Sequence, residues 1–153
     1  MSTRKQITVF LENKPGRLAN VLSELARQKV NIVALAVMDR SEQAVLRLVT
    51  EDEALAASVF RGSQISFTEA DVLVVDLKNQ PGALAHVCEV LAAEHINIEY
   101  AYCSSGGRNG KVFGIFKVSN LSKAQSVLAA GSNNRKPERR SLRDQRSYKA
   151  ASR

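Results

Sequence analysis

The amino-acid sequence predicts an α+β fold built from two tandem copies of one βαββαβ unit. The segment Asn13–Ala19 (NKPGRLA) recurs as Asn79–Ala85 (NQPGALA), an offset of 66 residues. The same offset places Val30–Ile32 on Ile96–Ile98. Beyond the second hairpin the offset becomes 68, and the short helices of the two copies still align. A repeat that keeps its register through several elements indicates an internal duplication.

Each copy has the same order of predicted elements. In the first copy Ile7, Val9 and Leu11 alternate with other residues, as in a half-buried strand. A helix follows, opened by Pro15 or Gly16, because proline suits the first turn of a helix and the apolar residues then recur at helical spacing. The remaining elements are strands near 31–38 and 43–50 with a helix near 52–62, and in the second copy strands near 97–104 and 111–118 with a helix near 120–130.

The two copies differ at their last strand. Gln64–Thr68 completes the first copy as a strand, whereas the aligned stretch of the second copy, Ser132–Lys136, has no strand character. We therefore predict that the second unit lacks its final strand. The predicted organisation is a first domain at 5–69, a second domain at 70–131, and a basic, disordered tail at 132–153.

The net charge of +7 is concentrated in the tail. Residues 132–153 contain eight basic and two acidic residues, so they carry +6, and residues 1–131 carry only +1. The globular part is thus almost neutral, and the tail has only Tyr148 as an aromatic residue. We do not expect a nucleic-acid partner, although a contact through the tail would show steep salt dependence.

The sequence favours a cytoplasmic location. Cys88 and Cys103 do not form a disulfide framework. No apolar run approaches the roughly 20 residues that cross a bilayer, and the N-terminus lacks the features of a signal peptide. We therefore expect no membrane association.

The repeated turn resembles a known family. An Asn-x-Pro-Gly-x-Leu turn between the first strand and first helix, followed by Asn-Ile at the second strand, is similar to the ACT-domain family of small-molecule sensors, and residues 6–131 match this pattern twice. The resemblance implies two ferredoxin-like units side by side in one antiparallel sheet of eight strands, with helices on one face. It also implies an amino-acid-binding regulatory protein with its ligand at the seam between the units. The alternative is a regulatory small subunit of a biosynthetic enzyme, such as an acetolactate-synthase-like complex.

The turn has the chemistry to hold an amino acid. Free N–H groups in the first turn of a helix, at the positive end of its dipole, suit a carboxylate. Gly16 and Gly82 lack a Cβ and allow a ligand to approach the main chain. Asn13 and Asn79 offer an amide carbonyl to an ammonium group and an amide N–H₂ to an oxygen.

From the resemblance, each loop should pair with a strand of the other unit. The loop Asn79–Leu84 would pair with the strand that begins at Asn31, and the loop Asn13–Leu18 with the strand that begins at Asn97. The expected ligand-binding residues are Asn13, Pro15, Gly16, Arg17, Leu18, Asn31, Ile32, Asn79, Gln80, Pro81, Gly82, Ala83, Leu84, Asn97 and Ile98.

Structural interpretations of the same residues stay open. Asn-x-Pro-Gly is also a good strand-to-helix turn, in which Asn caps the helix. Asn31 and Asn97 could be turn residues at strand entries, and the two copies may bind unequally after divergence. We favour the second loop, because it has the small Ala83 where the first has Arg17.

No motif in the sequence indicates catalysis, a metal site or a cofactor. Tyr100 and Tyr102 lie on one strand face and could floor a pocket or serve in packing. The strand Ile32–Met38 is apolar on both of its faces. Because helices cover one face of such a sheet, we expect the other face to meet a partner in a homodimer.

Overall fold

The computed structural model describes residues 1–40, 43–104 and 111–132. This part of the chain contains six strands and four helices. In chain order they are β1 Ser2–Glu12, α1 Arg17–Arg27, β2 Ile32–Arg40, β3 Gln43–Thr50, α2 Glu53–Gly62, β4 Phe67–Lys78, α3 Ala83–Ala93, β5 Ile98–Cys103, β6 Lys111–Val118 and α4 Leu121–Ser132. None of these helices is long and apolar enough to cross a membrane.

The strands form one antiparallel sheet in the order β2-β3-β1-β4-β6-β5. β1 pairs with β3 on one side and with β4 on the other. β4 in turn pairs with β6, so the sheet runs without interruption from the first unit into the second. The predicted α+β fold with two units side by side in one antiparallel sheet is confirmed, and its described part has six strands.

β4 combines two strands that the sequence analysis treated separately. The predicted last strand of the first unit, Gln64–Thr68, is strand only from Phe67 onward. Gln64 has φ 56°, and the Ile65 N–H donates to the Phe60 carbonyl, so the chain is still in the turn that ends α2. From Phe67 the strand then continues through the first strand of the second unit. The predicted domain boundary at 69/70 therefore lies inside β4.

The N-terminal half of β1 pairs where a last strand of the second unit would pair. Ser2–Lys5 lies beside Asp71–Val74, on the edge of β4 that faces away from β6. The stretch predicted to lack strand character is Ser132–Lys136. Its first residue, Ser132, is the last residue of α4. Residues 133–136 and the rest of the predicted tail lie outside the described residues.

The β1–β4 pairing has a local two-fold symmetry. Lys5 and Asp71 are cross-strand partners, and they are also the residues that the 66-residue offset equates. Lys5 Nζ lies 2.8 Å from Asp71 Oδ1, and this hydrogen-bonded pair raises the pKa of Lys5. The axis that relates the two units therefore passes between these two side chains.

All four helices pack on one face of the sheet. On that face Ile7, Val9 and Leu46 pack against α1 and α2 in the core of the first unit. Leu73 and Phe116 pack against α3 and α4 in the core of the second. Thr3 and Leu73 are cross-strand partners, as are Val9 and Phe67, which places both cores on the same side.

The centre of the helix-free face is buried within the chain. Val49, Val72 and Ile115 are fully buried in a third cluster that no helix covers. The sheet is curled, so its own strands close over this face. The centre of this face is therefore closed to a partner, whereas Met38 on the same face of β2 is 38% exposed, and the expected homodimer stays a prediction. Leu35 and Val37 of β2 lie on the helix-bearing side of the sheet, where they are 40% and 44% exposed. They are exposed because the helices do not cover this part of the edge strand.

We predict that Gly114→Ala destabilises the fold. A Cβ at this position would lie 2.7 Å from Phe116 Cε2 and 3.0 Å from Leu77 Cδ1, both in buried side chains. Overpacking of this kind costs about 1–3 kcal/mol of unfolding free energy, measurable by urea denaturation. Gly62→Ala is the matched control, because no atom lies within 4 Å of its added Cβ. Equal urea denaturation midpoints for Gly114→Ala and Gly62→Ala would contradict the prediction.

Candidate functional site

The two predicted turns have the same backbone geometry. Gly16 and Gly82 are the N-cap residues of α1 and α3, with φ of 85° and 83°. This left-handed conformation favours glycine, since a Cβ would clash with the backbone. The helices begin one residue after these glycines, at Arg17 and Ala83, so the prolines precede the N-cap and do not stand in the first helical turn.

The first-turn amides of both helices are uncapped. The N-cap residues are Gly16 and Gly82, which have no side chain to cap these helices, so neither Asn13 nor Asn79 stands at the N-cap position. Within the described residues, no hydrogen-bond acceptor is found for the next amides of either helix, those of Leu18, Ala19, Leu84 and Ala85. These N–H groups can therefore donate to an anionic ligand.

Asn31 and Asn97 have backbone roles at the strand entries. Their carbonyls accept from the N–H groups of Glu51 and Ser119, at 3.0 Å in each unit. The Asn97 N–H also donates to Ser119 Oγ at 3.1 Å. The main chain at these positions thus closes the junction of its own unit, while the two asparagines remain exposed.

The fold brings the two segments of each predicted pair to the same end of the sheet's strands. Because neighbouring strands are antiparallel, the loop after β4 and the start of β2 lie at one end of the strands. The loop after β1 and the start of β5 lie at the opposite end. In neither pair do the two segments flank adjacent strands, since β1 and β3 separate β4 from β2, while β4 and β6 separate β1 from β5.

The two helix openings differ in charge. At the first, Glu12 Oε2 lies 2.8 Å from Arg17 Nη2 and 3.2 Å from Lys14 Nζ. These hydrogen bonds to Arg17 and Lys14 lower the pKa of the Glu12 carboxyl. At the second opening the same three positions hold Lys78, Gln80 and Ala83, so no acidic group stands there.

A surface cleft of about 660 Å³ lies beside the first opening. Of the predicted site residues, only Arg17 lines it. Sequence reasoning missed the others, although their spacing on α1 could have shown that Asn20, Val21 and Glu24 share a face with Arg17. The remaining lining residues are Phe10, Leu11, Glu12, Ser63, Ile65 and Ser66.

The family follows from the duplicated turn, the sheet order and a direct sequence match. The profile of a family described as an ACT domain pair matches residues 2–135. The chain belongs to this ACT-pair family. No curated protein sequence shows a significant match.

Solved structures resemble this ACT pair over most of its length. Protein BT0572 from Bacteroides thetaiotaomicron is 32% identical, with a TM-score of 0.78 over 85% of this chain and 89% of that one. The ligand-free regulatory subunit of aspartate kinase from Thermus thermophilus is 13% identical, with a TM-score of 0.60 over 87% and 97%. A structure of aspartokinase alpha and beta subunits is 16% identical, with a TM-score of 0.59 over 86% and 96%. The last two likenesses show the shared fold.

A buried polar cluster joins the two ACT units across the curled face. Gln6 is fully buried, and its Nε2 donates to Tyr100 Oη at 2.9 Å and to Thr8 Oγ1 at 3.1 Å. The Tyr102 hydroxyl donates to Gln6 Oε1 at 3.0 Å, and the Arg47 guanidinium lies 3.8 Å from the centre of the Tyr100 ring. The two tyrosines therefore pack against the first unit, in agreement with the interpretation that they serve in packing.

The same cluster requires the sheet to curl. β5 and β1 are three positions apart in the sheet, which corresponds to about 14 Å in a flat sheet. A direct hydrogen bond from a tyrosine on β5 to Gln6 on β1 is possible only when the sheet bends. The repeat positions of Tyr100 and Tyr102 in the first unit are Ala34 and Ala36, whose small side chains leave room for the rings.

Metal ligands do not converge in the described part of the ACT pair. In these ranges no group of three or more His, Cys, Asp or Glu side chains could hold an ion. Cys88 is partly buried against the core of the second unit, and Cys103 is exposed at the end of β5.

We predict that Tyr102 makes the stability of the ACT pair fall at alkaline pH. Burial raises the pKa of the Tyr102 hydroxyl above its usual value. The unfolded chain therefore loses this proton first, so the stabilisation is complete below about pH 10 and is lost as the pH rises further. Relative to Tyr102→Phe, the native protein should lose up to about 1.4 kcal/mol of unfolding free energy per pH unit. The prediction is contradicted if the unfolding free energies of the native protein and of Tyr102→Phe change in parallel from about pH 9 to about pH 11.

Proposed function

We propose that this ACT pair is a regulatory module that binds an amino acid and has no catalytic activity of its own. Its family and its fold support a regulatory role, since solved structures with the same fold include a regulatory subunit of aspartate kinase. The proposal places the ligand at the seam between the units, with the residues named from the sequence.

The observation that carries the proposal is the pair of uncapped helix openings. Each presents two first-turn N–H groups to solvent, beside a glycine without a Cβ and an asparagine. An α-amino acid has a carboxylate that such amides can receive and an ammonium that an amide carbonyl can receive. The duplication of this arrangement in register favours a selected function over a turn that is merely convenient.

The charge at the openings favours the second as the binder. At the first, the cationic groups of Arg17 and Lys14 are already paired with Glu12, and the Arg17 side chain is bulky. At the second, Lys78 adds positive charge, and Ala83 leaves the approach open. A ligand carboxylate would therefore meet less competition at Gly82 and Leu84.

Regulation through an enzyme partner is the second candidate. In this alternative the chain is the regulatory small subunit of an amino-acid biosynthetic enzyme, such as an acetolactate-synthase-like complex. The regulatory subunit of aspartate kinase from Thermus thermophilus, which shares the fold, favours a role of this kind. Co-purification with a large catalytic chain would separate this candidate from a free-standing sensor.

Assembly and location complete the proposal. We propose a homodimer in the cytoplasm, with neither a membrane nor a nucleic-acid partner. Leu35 and Val37 on the edge strand β2 are the exposed apolar side chains that support an interface, in place of the curled face. Light scattering that shows a monomer at micromolar concentration would remove the homodimer from the proposal.

We predict that one or a few of the twenty amino acids raise the melting temperature of the chain. A ligand at about 100 times its Kd stabilises the folded state by about 2.7 kcal/mol, which corresponds to roughly 5–10 °C for a chain of this size. Asn79→Ala should reduce the shift, because the substitution removes the amide proposed to hold the ligand.

Asn13→Ala is the matched control for the prediction that the second opening binds. It removes the equivalent amide from the first opening, and we expect it to leave the shift largely intact. Melting temperatures without ligand report any effect of either substitution on the fold. The proposal fails if no amino acid shifts the melting temperature, and the preference between openings fails if Asn13→Ala has the larger effect.

A further inference from the structure

The cleft beside α1 contains an unpaired length of strand edge. β4 begins at Phe67, opposite Val9, so β1 extends beyond its partner on this side. Phe10 is the next residue of β1, and it lines the cleft together with Glu12. Ser66 lines the opposite side, and within the described chain no backbone hydrogen bond joins it to Phe10.

The backbone groups of Phe10 point into this cleft. The Asp71 carbonyl accepts from Lys117 Nζ at 3.4 Å, on the β6 side of β4, so it points away from β1. Lys5 is the cross-strand partner of Asp71. Its N–H donates to Glu53 Oε1 at 2.9 Å and therefore points away from β4. Because alternate residues of a strand direct their N–H and C=O groups to opposite sides, even-numbered residues of β1 face β4. Phe10 follows this alternation and faces the cleft.

The cleft has opposite charges at its two ends. Arg17 and Glu24 both line it from α1, seven residues apart, which is about 10 Å along a helix axis. Arg17 is bound to Glu12 in an exposed ion pair, which is weak, and Lys14 also lies close enough to neutralise Glu12. Among the described residues, Glu24 Oε2 accepts only a long hydrogen bond of 3.4 Å from Ser63 Oγ, while its other oxygen is bound to Arg27.

We propose that this cleft binds a free tripeptide, whose main chain lies along the open edge of β1 at Phe10. Three extended residues span about 10 Å, so the peptide's carboxylate can reach Arg17 while its ammonium reaches Glu24. Phe10, Val21 and Ile65 add apolar surface for its side chains. A single amino acid has both charges on one carbon and cannot span the two ends. This site lies within the first unit and shares only Arg17 with the residues of the proposed amino-acid seam.

Calorimetric titration of the whole chain with Leu-Ala-Leu tests the site. The probe should bind, and N-acetylation, C-amidation or N-methylation of its third residue, whose N–H reaches the Phe10 carbonyl in a parallel pairing, should each weaken binding at least tenfold, since each removes one postulated contact. Free leucine should bind at least tenfold more weakly at this cleft. Absence of binding at millimolar concentration would overturn the proposal. Equal binding of the capped or N-methylated peptides, displacement of Leu-Ala-Leu by an equal concentration of free leucine, or equal binding of a longer peptide would do the same.

A single substitution tests whether Glu24 binds the ammonium group of the peptide. Glu24→Gln should weaken binding of Leu-Ala-Leu at least tenfold but leave the weaker binding of its N-acetylated form unchanged. Glu89→Gln, which neutralises an exposed carboxylate on α3, is the control and should change neither. Equal effects of Glu24→Gln on both peptides would refute the assignment. The response to amino acids, which Asn79→Ala tests, is a separate readout, so either proposal can fail alone.

Discussion

The antiparallel pairing of β1 with β4 is the constraint on which the architecture depends. Each of these strands serves both units. Phe67–Ala70 provides the outer strand of the first unit, and Ser2–Lys5 lies in the corresponding place of the second. The second unit has no complete four-stranded sheet from its own segment of the described chain, because Ser2–Lys5 takes the place of its outer strand. The helix layers, the curled face and the two openings are therefore held in position by one strand pair around a local two-fold axis.

Within this symmetric frame the side chains have diverged. On the curled face, Gln6 and Arg47 of the first unit meet Tyr100 and Tyr102 of the second, whereas the repeat positions hold apolar or small residues. The helix openings show the same divergence, because an acidic residue is present at only one of them. The backbone thus preserves two equivalent places for a ligand, while the side chains make those places chemically different.

The sequence predicted the elements that depend on local signals. Both helix openings, the strand pairs and the short helices were found because duplication repeats each signal, and Gly16 and Gly82 adopt the same left-handed conformation. The fusion of two strands into β4 and the curl of the sheet were not predictable, since they depend on which distant strands pair. Gln6 looked like an ordinary polar residue near the N-terminus, and only the tertiary fold buries it. The cleft escaped prediction for the same reason, because its walls come from three separate segments.

Native-state hydrogen exchange tests the shared-strand account most directly. Leu46 in the first unit and Phe116 in the second are both fully buried, on strands β3 and β6 that flank the central pair. If the units share their central strands, these two amides should exchange through the same global opening, with free energies that agree within about 0.5 kcal/mol. If one amide exchanges through an opening that is lower by several kcal/mol while the other stays protected, the units fold separately and the account is contradicted.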